Sequence, residues 1–329
     1  MSGKNNDSIL NQYGDKGICL YEYPEIGGIK QYIQIRGENK DNPVILFLHG
    51  GPGGSVAGLC HVLQEGWEKS YTVVNWDQRN SCKTLLANRS RAAEIAKTGT
   101  VGDYMKDIDD VISYLHTVLD FDRLILAGFS WGSLIGAEYA MSHPDNVSYY
   151  IGIGQIINYH EGLRVSCEWI KGLAQNSPGD MKKLYAFMDA SVGVKEMDKT
   201  FMKQLRKFSM LGAKYIAKDA RRFPVKALRK TPFLNGKEKM AMIKADPKLL
   251  SGSYRTLLSH DFRSDMHFDM PVLFITGDED FICPSKLLER CFENIDAPVK
   301  KMVTIEKATH TCFYDQPEEF LRVVGEFVG

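Results

Sequence analysis

The pentapeptide Gly128-Phe129-Ser130-Trp131-Gly132 has the form G-x-S-x-G and lies between an apolar run and a helix-like stretch. Glycines on both sides let a chain make a strained turn that lifts a serine hydroxyl above a sheet. The helix that follows then offers backbone N–H groups to a developing oxyanion. Ser130 is therefore a candidate nucleophile for acyl transfer; the alternative is a tight strand-to-helix connection with a capping serine. A second Gly-rich segment, His49-Gly50-Gly51-Pro52-Gly53-Gly54-Ser55, directly follows the apolar run VILFL. Such a loop lets backbone amides approach a ligand closely, as the second arm of an oxyanion hole requires. It does not suit phosphate, because no G-K-[ST] ending is present and Pro52 removes a backbone donor. His49 reads as a structural residue holding the loop rather than as a base.

The elements that must position these residues are legible in the pattern of apolar positions. Residues 17–23 and 29–36 alternate as half-buried strands, with Gly27-Gly28 as a hairpin turn. Residues 44–48 and 72–76 are continuous apolar runs, suited to strands buried on both faces of a mostly parallel sheet. Thr100 and Asp103 form a capping-box pattern, and Tyr104, Ile108, Val111, Ile112 and Leu115 follow at helical spacing as a packing stripe. Residues 123–127 read as a strand entering the Ser130 turn, followed by a helix stopped by Pro144 and a short strand at 149–154. Strand patterns resume at 271–277 and 301–305, and Pro317 opens a C-terminal helix. Between them, residues 155–268 carry little alternation, helical stretches at 181–190 and 199–208, and prolines at 178, 224, 232 and 247. The expected organisation is an α/β fold whose sheet domain, residues 1–154 and 270–329, is split around a helical insertion at 155–269.

Composition excludes several classes. The 329 residues carry 41 Lys and Arg against 41 Asp and Glu, and a net charge of zero offers no global field for a polyanion, so no nucleic-acid partner is expected. No window reaches the ~20 apolar residues of a spanning helix. The polar start MSGKNNDSIL precedes no apolar stretch of signal-peptide length, which makes a cytoplasmic location the expectation. The seven cysteines are scattered without paired C-x-x-C spacing and read as free thiols rather than a metal site or a disulfide framework.

The HGGPGG loop, Asp77-Gln78-Arg79 after the next strand, and GFSWGS together resemble the α/β-hydrolase superfamily and, within it, the proline iminopeptidase (prolyl aminopeptidase) family of serine peptidases. The resemblance implies an α/β-hydrolase fold, a mostly parallel central sheet flanked by helices, with the insertion as a cap over the site. Where the family continues D-Q-R with glycines, this chain has Asn80-Ser81-Cys82-Lys83-Thr84; asparagine tolerates the left-handed backbone such a turn needs.

The superfamily's chain order of Ser, then acid, then His, and its glycine-plus-three acid position, select Asp280 within Gly277-Asp278-Glu279-Asp280. Asp278 is the alternative, and Glu279 a third. His310, beyond the last strand and ahead of the C-terminal helix, occupies the position of the general base. Backbone N–H groups of Trp131 and Gly51 would form the oxyanion hole, and no metal or organic cofactor is implied.

The family's activity, release of an N-terminal proline from short peptides, implies cap carboxylates that hold the free amine. Glu161 and Glu168 are candidates, with Glu196 and Glu238 behind them. Residues 155–268 nevertheless hold 22 Lys and Arg against 11 Asp and Glu, a basic excess that amine recognition does not call for. Three functions remain open: an aminopeptidase for small N-terminal residues, a small-molecule esterase or amidase on the same machinery, and a non-catalytic ligand-binding protein. The partner expected is a small peptide, ester or amide, and the sequence leaves the oligomeric state undefined.

Overall fold

A computed structural model of the chain describes residues 13–216, 224–243, 246–264 and 266–329. Ten strands are present among them: β1 (Ile18–Glu22), β2 (Glu25–Ile26), β3 (Ile29–Lys30), β4 (Tyr32–Gly37), β5 (Val44–Leu48), β6 (Thr72–Asp77), β7 (Leu124–Phe129), β8 (Val147–Ile153), β9 (Val272–Gly277) and β10 (Lys300–Ile305). Eight form one sheet in the order β1-β4-β6-β5-β7-β8-β9-β10. The six strands from β6 and β5 through β10 pair parallel, and β4 and β1 extend the sheet antiparallel. The stretch expected as one strand at 29–36 is divided. Gly27 and Gly28, both at positive φ, turn the minor ladder β2–β3, while β4 alone joins the sheet.

The apolar runs are buried on both sides, as a central parallel strand requires. Along β5, Val44, Leu46 and Leu48 pack with the helices Val101–Leu115 and Trp131–Ser142, whereas Ile45 and Phe47 face Trp67, Phe313 and the C-terminal helix Pro317–Val328. Thr100 caps the first of these helices by accepting from the Asp103 amide while the Asp103 carboxylate accepts from the Thr100 amide, the reciprocal pattern read from the sequence.

Between β8 and β9 the chain leaves the sheet. Helices run over Tyr159–Ala174, Pro178–Ser191, Lys199–Tyr215, Val225–Lys230, Gly236–Ile243 and Ser251–Ser259. Pro178 occupies the first turn of its helix, where a missing N–H removes no bond, so it starts an element rather than interrupting one. Apolar faces of these helices, including Leu163, Phe187, Phe201, Phe208 and Leu257, join the same core as one side of the sheet. Among the described residues no helix is long and apolar enough to cross a membrane.

Candidate active site

The turn at Ser130 is built by close packing. A Cβ on Gly132 would fall 2.0 Å from the Leu48 carbonyl oxygen, and one on Gly128 would fall 2.5 Å from that of Gly132. With both positions bare, the helix starts directly at the end of β7, and Ser130 takes φ 52 and ψ −119, a conformation an L-residue holds only under constraint. Its amide donates to Ile153 O at 2.9 Å, which fixes the turn against β8. Trp131 then opens the helix, so its amide has no partner within the helix and faces the start of the turn.

Three sequence motifs meet here through side-chain hydrogen bonds. Gln78 Nε2 donates to His49 O at 3.1 Å, the Gln78 amide donates to His49 Nε2 at 3.2 Å, and Trp131 Nε1 donates to Gln78 Oε1 at 2.9 Å. His49 Nδ1 is 2.8 Å from Gly50 O, so the neutral imidazole satisfies both nitrogens; burial holds its pKa down at about 4. His49 thus fastens the loop that carries Gly51, whose φ of 118 is open to glycine. Asp77 accepts from the Ser55 hydroxyl and from the Lys83 amide at 3.0 Å, and burial raises its carboxyl to about 6. Arg79 is locked to Asp107, with Nε on Oδ2 and Nη2 on Oδ1 at 2.6 Å, while Gln31 donates to the same carboxylate at 3.0 Å. Asn80 takes the left-handed backbone at φ 54. Cys82 is buried beneath the Gly236–Ile243 helix and Lys83 lies over the Tyr32 ring, so neither lines the Ser130 cavity.

Of the three acids after β9, Asp280 faces the histidine. Its Oδ2 accepts from His310 Nδ1 at 2.8 Å, and its Oδ1 accepts from the amides of Ile282 and Cys283 at 2.9 and 2.8 Å. The carboxylate is 1% exposed and satisfied on both oxygens, which fixes the imidazole tautomer with Nε2 free to accept. Asp278 accepts instead from the Ala308 amide at 3.1 Å and holds the histidine loop. The His310 ring also packs on Phe129, centroids 4.8 Å apart. Gly154, at the end of β8, completes this arrangement: a Cβ there would lie 3.1 Å from the His310 ring and 3.2 Å from Asp280. Ser130, Gly154, Asp280 and His310 all follow the carboxyl ends of parallel strands, where open α/β sheets place their ligands.

Ser130 and Gly51 open into a cavity of about 160 Å³. Its walls come largely from the inserted helices: Leu163, Met197, Met202, Leu205, Phe208, Tyr254 and Leu257, with Ile156, Tyr159, Phe281, Ile282 and Cys283 from the flanking turns. Among the described residues no charged side chain lines it. Cys283 and Tyr159 were not singled out by the sequence. The one available signal for Cys283 was its place three residues after Asp280, the reach of a turn whose amides bind that carboxylate. Burial pushes its thiol well above the ordinary thiol range, so it stays protonated.

The structure does not bring the cap carboxylates to Ser130. Glu161 accepts from Arg164 at 2.5 Å, has Arg290 at 3.7 Å, and lines a separate cleft with His160, Arg164 and Arg263. Glu168 pairs with Lys171 at 3.4 Å on an exposed helix face. Both sit on turns of the helix that face away from the cavity, whose wall from the same helix is Tyr159 and Leu163. Glu238 accepts from the Asn235 amide at 2.7 Å as a helix-start contact. Glu196 lies in a neighbouring cleft with Asp198, Lys248 and Arg255, joined to the cavity by the shared walls Met197 and Tyr254.

Residues 43–317 match the family defined by the alpha/beta hydrolase fold, and the chain belongs to that family. Over 94% of its length it is 26% identical to the probable aminopeptidase YbaC of Bacillus subtilis, covering 96% of that protein. It is 30% identical to the proline iminopeptidase of Neisseria meningitidis over 125 residues, 38% of this chain and 36% of the relative. Among solved structures it resembles a proline iminopeptidase from Mycobacterium smegmatis, with a TM-score of 0.64 at 20% identity over 94% of this chain and 97% of the other. An esterase from Exiguobacterium antarcticum superposes with a TM-score of 0.60 at 19% identity, covering 94% and 99%.

Proposed function

We propose that the protein is a serine hydrolase that cleaves esters or amides of small, apolar acyl groups through an acyl-enzyme intermediate. The observation that carries this reading is the Asp280–His310 pair beside a strained Ser130 at the floor of an uncharged cavity. In this mechanism Ser130 Oγ attacks the carbonyl carbon while His310 Nε2 takes its proton. Asp280 holds the Nδ1–H and stabilises the imidazolium. The tetrahedral oxygen accepts from the Trp131 and Gly51 amides. Collapse breaks the bond to the leaving group, which departs with the proton from His310; water, deprotonated by the same nitrogen, then releases the acid and regenerates Ser130. Residues 155–269 act as a cap that supplies the acyl pocket.

The aminopeptidase reading is supported by the similarity to YbaC over 94% of the chain, but among the described residues the cavity offers no carboxylate to an α-ammonium group, and an unpaired cation in an apolar pocket is costly. Glu196, in the neighbouring cleft, is the nearest candidate for that role. Labelling with a fluorophosphonate, followed by turnover of p-nitrophenyl butyrate against proline-β-naphthylamide, tests the proposal. Ester turnover and labelling, both abolished in Ser130→Ala, are expected. Labelling that persists in Ser130→Ala removes the nucleophile, and exclusive turnover of free-amine substrates restores the aminopeptidase.

A further inference from the structure

The loop that carries Gly51 is rich in glycine, and a glycine backbone keeps one conformation only where its surroundings hold it. Its ends are pinned by the His49–Gln78 bonds and the Ser55–Asp77 bond, and the Gly54 amide donates to Gly50 O at 3.0 Å. The middle is held by contact. A Cβ on Gly51 would fall 2.6 Å from the amide nitrogens of Gly53 and Gly54, so the Gly51 and Gly53 backbones lie against each other. Gly53 in turn is covered by Leu250: a Cβ on Gly53 would meet Leu250 Cδ1 at 2.7 Å. Leu250 is 2% exposed, comes from the insertion and does not line the Ser130 cavity. The backbone on both sides of it is fastened to the sheet domain. Asn80 Nδ2 donates to Leu249 O at 2.6 Å and to Ala92 O at 3.1 Å. Ser251 Oγ and the Gly252 amide both donate to Ala96 O, at 3.0 and 3.2 Å. Gly252 comes so close that a Cβ there would fall 1.5 Å from Thr98 O. A glycine at position 80 would keep the left-handed turn and lose both Asn80 bonds.

Resting on the serine hydrolase reading, we infer that Leu250 is a positioning residue: anchored through Asn80, it holds Gly53 against Gly51 and so fixes the amide that meets the oxyanion. Its part in the reaction is indirect, because it acts through the loop and lies outside the cavity wall. An oxyanion donor works only where the oxygen will arrive, and a misplacement of about 1 Å can cost about 100-fold in rate. The Trp131 amide is set by its own helix and by the Ser130 turn. The Gly51 amide has no such frame and depends on a side chain supplied by the insertion. Shortening Leu250 leaves a gap over Gly53 into which the loop can relax. The loss is then felt in the transition state and is the same for every acyl chain, since the walls that receive the chain are untouched.

The test uses Leu250→Ala, which removes the contact, Leu250→Met, which nearly restores its length, and Asn80→Gly, which frees the anchor. The readouts are kcat/KM for p-nitrophenyl acetate, butyrate and hexanoate, and the inhibition constant of butyl trifluoromethyl ketone, whose adduct with Ser130 places an oxyanion in the hole. Leu250→Ala and Asn80→Gly are expected to lower kcat/KM by about 10- to 100-fold, by one factor for all three esters, and to weaken the ketone in proportion. Leu250→Met recovers most of the loss. If Leu250→Ala does not fold, Asn80→Gly carries the same test, because its backbone can stay as it is. A loss that varies with acyl length makes Leu250 part of the acyl pocket and overturns the inference, as does unchanged ketone affinity beside reduced ester turnover. Amide hydrogen exchange over residues 49–55 reports on the loop without any chemistry and is expected to speed up in Leu250→Ala and Asn80→Gly. Faster exchange in the variants, with a wild type that turns over no ester, amide or free-amine substrate, leaves Leu250 as the holder of the loop and sinks the hydrolase. Wild-type turnover with exchange and kcat/KM unchanged in the variants sinks only Leu250.

Discussion

The sheet and the inserted helices treat charge in opposite ways. At and around the sheet, Asp77, Asp107 and Asp280 are each almost inaccessible, and each carboxylate has a hydrogen-bond donor on both oxygens. In the insertion, Glu161 and Glu168 pair with bases three residues on, near the surface, and even buried Asp180 is met by Lys183 and Lys214, whose side chains are 67% and 59% exposed. The insertion's described contribution to the cavity is uncharged and mostly hydrocarbon, with Tyr159, Ser209 and Tyr254 among Leu, Met and Phe. The strand ends therefore hold the proposed reactive groups, Ser130, Asp280 and His310, at fixed angles, where an unpaired charge would be intolerable, and the insertion supplies shape, which many apolar side chains can provide.

That division is broken most directly at Ser130, the proposed nucleophile. Ser130→Ala is expected to lower kcat by about 10⁴-fold or more while leaving the melting temperature near wild type, because the hydroxyl contributes to chemistry and not to packing. A stopped assay of ester turnover alongside a thermal melt checks both halves. Substantial residual turnover would move the chemistry away from the sheet.

The next effect is on stability. Asp107→Ala strands the Arg79 guanidinium between the Val101–Leu115 helix and the strand ends, at an expected cost of about 3–5 kcal/mol in denaturant unfolding. A loss below about 1 kcal/mol would place this pair in the class of surface bridges and erase the contrast with the insertion.

Asp77 gives the comparison a pH dependence. Burial raises its carboxyl to about 6 in the folded protein, above the ordinary aspartate value of 3.8, so the native state binds its proton more tightly than the unfolded chain does. This contribution to stability is fully present below about pH 4 and is lost as pH rises through 6, to the extent of about 3 kcal/mol. Unfolding free energies of wild type and Asp77→Asn across pH 4–7 should therefore diverge in that direction; parallel curves would show that the Ser55 and Lys83 bonds offset burial entirely.

The same contrast explains what could be read from the amino acids. The VILFL run, the Thr100–Asp103 box and the glycines around Ser130 are local patterns, and each has one physical reading that the fold realises. Choosing Asp280 over Asp278 needed a family spacing, since both follow a glycine-ended strand; the distinction is made by which carboxylate the Ala308 amide reaches. The direction of Glu161 was not legible, because Arg290, one of its partners, comes from beyond β9.

The smallest expected effect is the sharpest test of the insertion. Glu161→Gln keeps the size of the side chain, removes one charge from a partly exposed pair with Arg164, and touches nothing in the cavity. Exposed ion pairs contribute about 0–1 kcal/mol, so stability should change by no more than that. Turnover of esters and of free-amine substrates should each stay within about 2-fold of wild type. A loss of 10-fold or more confined to free-amine substrates would mean that the first inserted helix turns this carboxylate toward the nucleophile when substrate binds. The insertion would then be a recognition element for charge as well as a wall, and the separation of chemistry from shape would fail at that residue.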